Sequence, residues 1–143
     1  MSQLAEILAG KGHEVLSIEA DASVLEAVRQ MVEANVGSLL VMDEDEISGI
    51  VTERDYLRRV ALEGRSERDT AVREIASFPL IVATPETTVD ECMALMTDRR
   101  IRHVPVVEGG EVVGMVSIGD LVKYTSEQQS FELKYLTDYI SAH

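Results

Sequence analysis

Two short stretches of the chain, GIVTERD at residues 49–55 and GMVSIGD at residues 114–120, combine residue types that could bind a phosphorylated sugar. In each, an apolar run ends in a hydroxyl residue, and an aspartate follows three positions later. If a helix begins at the hydroxyl residue, the unpaired amides of its first turn suit a phosphate. The aspartate can accept hydrogen bonds from a ribose diol, as acidic residues do in other nucleotide folds. The candidate residues are Thr52 with Asp55, and Ser117 with Asp120.

The same spacing also has a purely structural interpretation. A hydroxyl residue followed three positions later by an acidic residue is typical of a capping box, which stabilises a helix start without any ligand. A single occurrence would favour that interpretation. Here the pattern occurs twice in matched contexts, and Gly49 and Gly114 precede the hydroxyl residues without a side chain that could obstruct a ligand. The duplication favours a binding role for residues that also cap helices.

An internal repeat surrounds the two motifs. A shift of 65 residues aligns residues 17–56 with 82–121 without a gap. Upstream, LAEIL at 4–8 resembles VREIA at 72–76, with the register slipped by three residues. A repeat of this kind predicts two halves of similar structure. The identical pairs are Val24/Val89, Glu26/Glu91, Met31/Met96, Val41/Val106, Glu46/Glu111, Gly49/Gly114, Val51/Val116 and Asp55/Asp120.

Each half predicts the same order of secondary-structure elements. Apolar residues recur at helical spacing in 24–31 and in 89–96, each time after a cap-like DAS or PETT. Two β-branched runs follow, joined by the turn-like DEDE or EGGE, and a second helix, ERDYLRRVALE or IGDLVKYTSEQ, comes next. A short strand, VLSI or LIVA, opens each unit. Each half is therefore predicted to be β-α-β-β-α.

The predicted fold class is α/β of the α+β type, with two such repeats related by pseudo-two-fold symmetry, because one half alone cannot bury its sheet face. The predicted boundaries are 4–62 for repeat 1, 63–71 for a linker, 72–124 for repeat 2 and 125–143 for a tail helix. The tail is amphipathic. We expect it to pack against the body or a second subunit rather than bind a cofactor. Its apolar residues are Phe131, Tyr135, Leu136, Tyr139 and Ile140.

Composition excludes several classes of protein. The chain has 143 residues, and 13 Lys and Arg against 26 Asp and Glu give a net charge of −13. Such a surface repels phosphate backbones and anionic lipids, so we expect neither a nucleic-acid nor a membrane partner. The single cysteine, Cys92, cannot form a disulfide within the chain. The first residues do not resemble a signal peptide, and the expected location is the cytoplasm.

Other chemical signals are weak. His13, His103 and His143 are scattered without metal-ligand spacing, and DEDE at 43–46 lacks the glycine of a calcium loop. Cys92 lies on the apolar face of a helix and is expected to be a core residue. We therefore expect no metal site, no catalytic residues and no enzymatic activity.

The set of motifs resembles a tandem pair of CBS (cystathionine β-synthase) domains, also called a Bateman module. The resemblance covers about residues 4–124 and includes VGSLLVM, GIVTERDY, RRIRHVPVV and GMVSIGDLVK, which are similar to stand-alone bacterial CBS-pair proteins. It implies a non-catalytic sensor that binds AMP, ATP, NAD or a related adenosyl ligand in clefts between the repeats. It also implies a homodimer and a regulated partner protein. Two alternatives are a structural dimerisation module with empty clefts and a nucleotide hydrolase using Asp55 or Asp120.

The resemblance also implies the residues of each cleft, with one motif facing segments of the other repeat. For the first cleft they are Thr52, Arg54 and Asp55, with Leu80 and Ile81 against the adenine and Ile101, Arg102 and His103 on the phosphate side. For the second they are Ser117 and Asp120, with Val15 near the base and Val36, Gly37 and Ser38 as the facing wall.

The two clefts are not expected to be equivalent. Arg54 lies inside the first motif where the second has Gly119, and DRRIRHV at 98–104 carries cations where EANVGSL at 33–39 has none. We therefore expect higher affinity for phosphorylated ligands at the Asp55 cleft. The alternative for Arg99 and Arg100 is a solvated helix end, because cations favour a helix C-terminus.

Overall fold

The repeated sequence pattern folds into a repeated set of helices and strands. The computed structural model describes residues 1–78 and 80–142, with side chains as far as residue 130. In chain order, the main elements are α1 (Leu4–Lys11), β1 (Ser17–Glu19), α2 (Val24–Ala34), β2 (Ser38–Asp43), β3 (Glu46–Thr52), α3 (Glu53–Tyr56), a π-helix (Leu57–Ala61), a 3-10 helix (Val72–Glu74), α4 (Val89–Arg99), β4 (His103–Glu108), β5 (Glu111–Ser117) and α5 (Ile118–Ala142). The mixed helix-and-strand fold class is confirmed.

The chain divides into two compact units. The central unit is Val15–Ile81, and the terminal unit is Met1–Glu14 together with Val82–His143. The central unit thus holds the strands of the first repeat, whereas α1 lies in the terminal unit with the strands of the second repeat. The two similar upstream segments, 4–8 and 72–76, are therefore each packed with the strands of the other sequence repeat.

The central unit is built on a three-stranded sheet. Strand β1 pairs in parallel with β2, and β2 pairs antiparallel with β3. The two-residue connection between β2 and β3 has Glu44 at φ 55°, a left-handed conformation suited to a tight hairpin. One face of α2 packs against the core of this unit. Each large apolar side chain buried in the core stabilises the fold by about 1.5–3 kcal/mol. The fully buried side chains include Val24, Leu39, Val41, Val51, Val60, Val72 and Ile75.

The terminal unit repeats this construction with one strand fewer. Strands β4 and β5 form an antiparallel pair with Gly109 and Gly110 at the turn, both at positive φ. Helices α1, α4 and α5 cover the core, and α1 contributes at the i, i+3, i+4 spacing of an amphipathic helix. The fully buried side chains include Leu4, Leu8, Cys92, Val104, Val106, Val116 and Leu121.

Equivalent residues of the two repeats terminate equivalent elements. Ser23 and Thr88 cap α2 and α4 through hydrogen bonds from the amides three positions later. At the other end, Asn35 and Arg100 both adopt the left-handed conformation, at φ 54° and 56°. Both hairpins also carry an irregularity at the same position. The two predicted halves therefore agree in their caps, turns and bulges, as the sequence repeat indicates.

The two repeated glycines are sites of close packing. A Cβ atom on Gly49 would lie 2.5 Å from the carbonyl oxygen of Ser77 and 2.7 Å from the Phe78 ring. A Cβ atom on Gly114 would lie 2.6 Å from Leu8 of helix α1. Glycine is therefore favoured at both positions because a distant segment, residues 77–78 for Gly49 and helix α1 for Gly114, packs closely against each strand. This reason differs from the predicted one, which is room for a ligand.

Three elements differ from the sequence prediction. LIVA does not form a strand, since only Ala83 makes a single parallel bridge, to Val106. The second helix of the first half changes to π-helical hydrogen bonding after Tyr56. The tail is helical but continuous with the preceding helix as α5, because neither glycine nor proline interrupts it after Gly119. The predicted packing of Phe131, Tyr135, Leu136, Tyr139 and Ile140 concerns side chains beyond those described, and His143 lies outside the described residues.

Candidate functional site

The Thr52–Asp55 motif lies where β3 ends and α3 begins. The amide of Thr52 donates to Asp55 Oδ2 at 3.0 Å, and the amide of Asp55 donates to Thr52 Oγ1 at 3.2 Å. The Thr52 hydroxyl also donates to Asp55 Oδ2, at 3.2 Å. The capping box is therefore confirmed, and it fixes the direction of a half-buried carboxylate.

Two neighbouring segments of the central unit support this motif. The hydroxyl of Ser77 donates to Asp55 Oδ1 at 3.3 Å, so each carboxylate oxygen accepts at least one bond. The amide of Glu53 donates to the carbonyl of Gly37 at 3.1 Å, which joins the start of α3 to the loop before β2. The described partners of the Asp55 carboxylate are all neutral hydroxyl or amide groups.

The Ser117–Asp120 motif has the same cap but a charged partner. The amide of Ser117 donates to Asp120 Oδ2 at 2.8 Å, and the amide of Asp120 donates to Ser117 Oγ at 3.1 Å. In addition, Lys11 Nζ lies 2.6 Å from Asp120 Oδ2 and 2.7 Å from the carbonyl oxygen of Met115. An ammonium group from α1 therefore holds the second motif, where Ser77 contacts the first.

The electrostatics of Asp120 follow from these contacts. Partial burial by itself raises the pKa of the Asp120 carboxyl group, because it disfavours the charged form. The hydrogen bonds from Lys11 and Ser117, together with the charge of Lys11, lower this pKa by more. The net result is a pKa below the ordinary value of 3.8, so Asp120 is ionised at neutral pH.

The wall segments predicted from the resemblance lie beside the motif of their own unit. Ser38 is paired with Thr52 in the sheet, and His103 is paired with Ser117. The carbonyl oxygen of Arg102 accepts a hydrogen bond from the Ile118 amide at 2.8 Å. The resemblance predicts a different grouping, in which the motif of one unit shares a cleft with the wall segment of the other. This grouping stays a prediction.

The remaining predicted cleft residues have a range of exposures. Arg54 and Arg102 are exposed, as is Val36, which is 36% accessible. Val15, Gly37, Leu80, Ile81 and Ile101 are half-buried, and Val15, Leu80 and Ile81 lie at the ends of the central unit.

The basic cluster forms the end of α4 and the connection to β4. Arg99 is the last residue of the helix and lies 3.7 Å from Asp98, and Arg100 occupies the left-handed capping position. Both side chains are exposed. This arrangement fits the interpretation of Arg99 and Arg100 as cations at a helix C-terminus, where they interact favourably with the helix dipole.

Other chemically suggestive residues have structural surroundings. Cys92 is fully buried, and burial raises the pKa of its thiol to about 11, so it lacks the thiolate character of a nucleophile. His13 Nδ1 lies 2.8 Å from the Val113 carbonyl oxygen. Within residues 1–78 and 80–142, no three His, Cys, Asp or Glu residues are grouped so that they could hold a metal ion. No helix in the described part of the chain is long and apolar enough to cross a membrane.

The two repeats match a known protein family. A family model described as "CBS domain" matches residues 11–62 and again residues 72–127. The chain belongs to the CBS-domain family. The tandem match confirms the resemblance drawn from the paired motifs, and each matched region contains one hydroxyl–aspartate pair.

Relatives of this CBS-domain chain include proteins of similar architecture. The mitochondrial CBS domain-containing protein CBSX3 of Arabidopsis thaliana is 40% identical over 146 residues, which is 96% of this chain and 71% of the relative. A CBS-domain protein from Burkholderia ambifaria, proposed to act in signal transduction, is 44% identical with a TM-score of 0.83, covering 87% of this chain and 93% of its own. The hexameric CBS-CP12 protein of bloom-forming cyanobacteria is 34% identical with a TM-score of 0.77, covering 84% and 70%.

Two residues at the motifs were missed by sequence reasoning. Lys11 and Ser77 lie upstream of the aligned 65-residue repeat, in segments whose register is slipped by three residues. Extending the match of LAEIL with VREIA would have placed Lys11 and Ser77 near the ends of equivalent segments, with Lys11 opposite Pro79 and Ser77 opposite Ala9. It would not have indicated which aspartate either residue contacts.

Proposed function

We propose that this CBS-domain chain is a non-catalytic regulatory protein that binds an adenosyl nucleotide, such as AMP, ATP or NAD, through its two hydroxyl–aspartate motifs. CBS-pair proteins are generally regulatory and ligand-binding. The observation that carries the proposal is the duplication of a half-buried carboxylate held by a helix cap at equivalent positions, Asp55 and Asp120. A carboxylate fixed in this way is preorganised to accept the hydroxyl protons of a ribose.

The proposed mechanism is a shift between conformations. A nucleotide bound between repeats stabilises the relative orientation that it binds better, and the shift is limited by its differential affinity for the two orientations. The change is transmitted to a partner protein or to other subunits. Both aspartates accept hydrogen bonds from their own helix caps, and among the described residues no three His, Cys, Asp or Glu are grouped so that they could hold a metal ion, which favours the regulatory role over nucleotide hydrolysis.

The two motifs are proposed to differ in affinity. Every described partner of the Asp55 carboxylate is neutral and can exchange with a ribose hydroxyl, whereas Asp120 is bonded to an ammonium group. The proposed contribution of Arg102 to the Asp55 cleft also favours higher affinity at Asp55 than at Asp120. Titration of AMP into Arg102→Ala and Ser38→Ala variants tests the asymmetry, and equal losses of affinity in both would contradict it.

Thermal shift with adenosine, AMP, ATP, NAD and GMP tests the proposal as a whole. A ligand that binds only the folded state stabilises it by RT ln(1 + [L]/Kd), about 2.7 kcal/mol at a hundredfold excess over Kd. Adenine nucleotides should raise the melting temperature, and Asp55→Asn and Asp120→Asn should each reduce the effect. Asp69→Asn, which changes an exposed aspartate of the linker, is the matched control.

The two alternatives give different results in the same samples. A flat response across the nucleotide panel would favour a structural dimerisation module with empty clefts. Hydrolysis products accumulating during prolonged incubation, and absent from an Asp55→Asn/Asp120→Asn double variant, would favour an enzyme. Mass spectrometry of ligand that co-purifies with the native protein would identify which nucleotide is bound.

The proposed assembly is a homodimer located in the cytoplasm. Apolar side chains on the surface of the central unit, Val32, Leu57 and Leu62, are 73%, 55% and 83% exposed, which is typical of a contact surface. One relative is named as hexameric and another as mitochondrial, so assembly and compartment vary among similar proteins. Light scattering of the purified chain and cell fractionation test the two points; a monomer at all concentrations would refute the dimer.

A further inference from the structure

Lys11 makes an interaction that the helix cap of Asp120 does not require. The cap is complete with the reciprocal bonds between Ser117 and Asp120. Lys11 adds a third bond to this pair at 2.6 Å and is also held by the Met115 carbonyl oxygen, so two acceptors fix its position. The side chains of Lys11 and Asp120 are 38% and 25% exposed, and a ligand at the motif can therefore reach both.

Among the described residues, no cation contacts the carboxylate of the first motif. In the register that matches LAEIL with VREIA, Lys11 corresponds to Pro79, which can carry no charge. The described side-chain partner of Asp55 from this region is the neutral hydroxyl of Ser77. The two motifs therefore present different chemistry to a sugar: one offers a carboxylate among neutral donors, and the other offers a carboxylate with an ammonium group attached.

This difference affects how each motif binds a ribose. At Asp120, Oδ2 already accepts bonds from the Ser117 amide and from Lys11, so a free diol that needs both oxygens must compete with a charge-assisted bond. An ammonium group has three N–H donors, and the two described acceptors leave one for a ligand. In dinucleotide folds, an acidic residue binds a free 2′-hydroxyl, whereas a nearby basic residue accommodates a 2′-phosphate.

We propose that Lys11 is a specificity-determining residue that makes the Ser117–Asp120 motif select a ribose carrying a phosphate ester on its 2′- or 3′-hydroxyl, whereas the Thr52–Asp55 motif selects a free diol. The ester replaces one of the two ribose hydroxyl groups, so one fewer donor competes with Lys11 for the Asp120 carboxylate. Its phosphate can accept a hydrogen bond from the third N–H of Lys11. A phosphate bound there would lie near the start of α5, where the helix dipole favours negative charge. This inference rests on the proposed function.

Calorimetric titration in an Asp55→Asn background isolates the Asp120 motif. The probes are 5′-AMP, adenosine 2′,5′-bisphosphate and adenosine 3′,5′-bisphosphate, which share the base and the 5′-phosphate. With Lys11 present, one of the bisphosphates should bind more tightly than 5′-AMP. Lys11→Met should reduce that preference about fivefold or more, since a hydrogen bond to a charged group is lost.

Two further variants separate specificity from folding and from net charge. Lys11→Arg keeps the cation and should retain most of the preference, whereas Lys11→Met should not, even where both fold equally well by circular dichroism. Arg29→Met removes a cation from the exposed side of α2 and should leave the preference unchanged. If the preference for a bisphosphate over 5′-AMP survives Lys11→Met, or is absent when Lys11 is present, the inference about Lys11 is wrong but the proposed function stands. If none of the nucleotides binds the wild-type chain, the proposed function fails as well.

Discussion

Replacing Gly49 with alanine tests whether the segment at residues 77–78 fixes the position of the first motif. The added methyl group would lie 2.5 Å from the Ser77 carbonyl oxygen and 2.7 Å from Phe78 Cε1, closer than real Cβ atoms approach other atoms. The segment must therefore move. Its movement strains two backbone hydrogen bonds between Ser77 and Ile50, at 2.8 and 3.3 Å, and the bond from Ser77 to Asp55.

These losses set the expected magnitude. Overpacking in a well-packed region costs about 1–3 kcal/mol, and each weakened hydrogen bond adds about 0.5–1.5 kcal/mol. Alanine is favoured over glycine in a strand by about 0.5–1 kcal/mol, which offsets part of the loss. We expect Gly49→Ala to lower the free energy of unfolding by at least about 1.5 kcal/mol in urea denaturation, which is the lower end of the sum of these terms.

Matched substitutions identify the cause. Gly10→Ala places the same methyl group in open space within α1 and should stabilise the chain slightly. Phe78→Ala should not rescue Gly49→Ala, because the nearest obstacle is the carbonyl oxygen of Ser77. For Gly114→Ala the obstacle is the Leu8 side chain, so Leu8→Ala combined with it should be less destabilising than the sum of the two. A Gly49→Ala variant as stable as wild type would refute the packing argument.

Two further predictions concern the caps and the acid stability. Ser23→Ala and Thr88→Ala should each lower the free energy of unfolding by about 1 kcal/mol, because each removes the hydroxyl oxygen that accepts a hydrogen bond from the amide three positions later; an unchanged stability in urea denaturation would contradict this. The pKa of Asp120 is lower in the folded chain than its ordinary value of 3.8, so its stabilising contribution is present above that value and is lost as the pH falls through the lowered pKa. Lys11→Met should therefore weaken the pH dependence of unfolding below about pH 4, and an unchanged acid transition would contradict the role of the ion pair.

Much of the local structure could be predicted from the sequence because its signals lie within a few residues. The helix starts follow from Ser23 and Thr88, which contact the amide three positions later. The hairpins follow from β-branched runs flanking DEDE and EGGE. The capped aspartates are predicted by the same rule, and the family assignment follows from their duplication. A binding role for these residues stays a prediction.

The tertiary structure decided which distant segments contact each local element. The bond between Lys11 and Asp120 joins residues 109 positions apart, and no periodicity within either segment indicates it. Likewise, the sequence pattern indicates Gly49 and Gly114 as room for a ligand, whereas their neighbours in the fold are Ser77 and Leu8, from segments distant in the chain. The sequence by itself determined two similar halves with two capped carboxylates. Tertiary packing makes the two carboxylates chemically different, because the partner of each depends on which distant segment packs beside it.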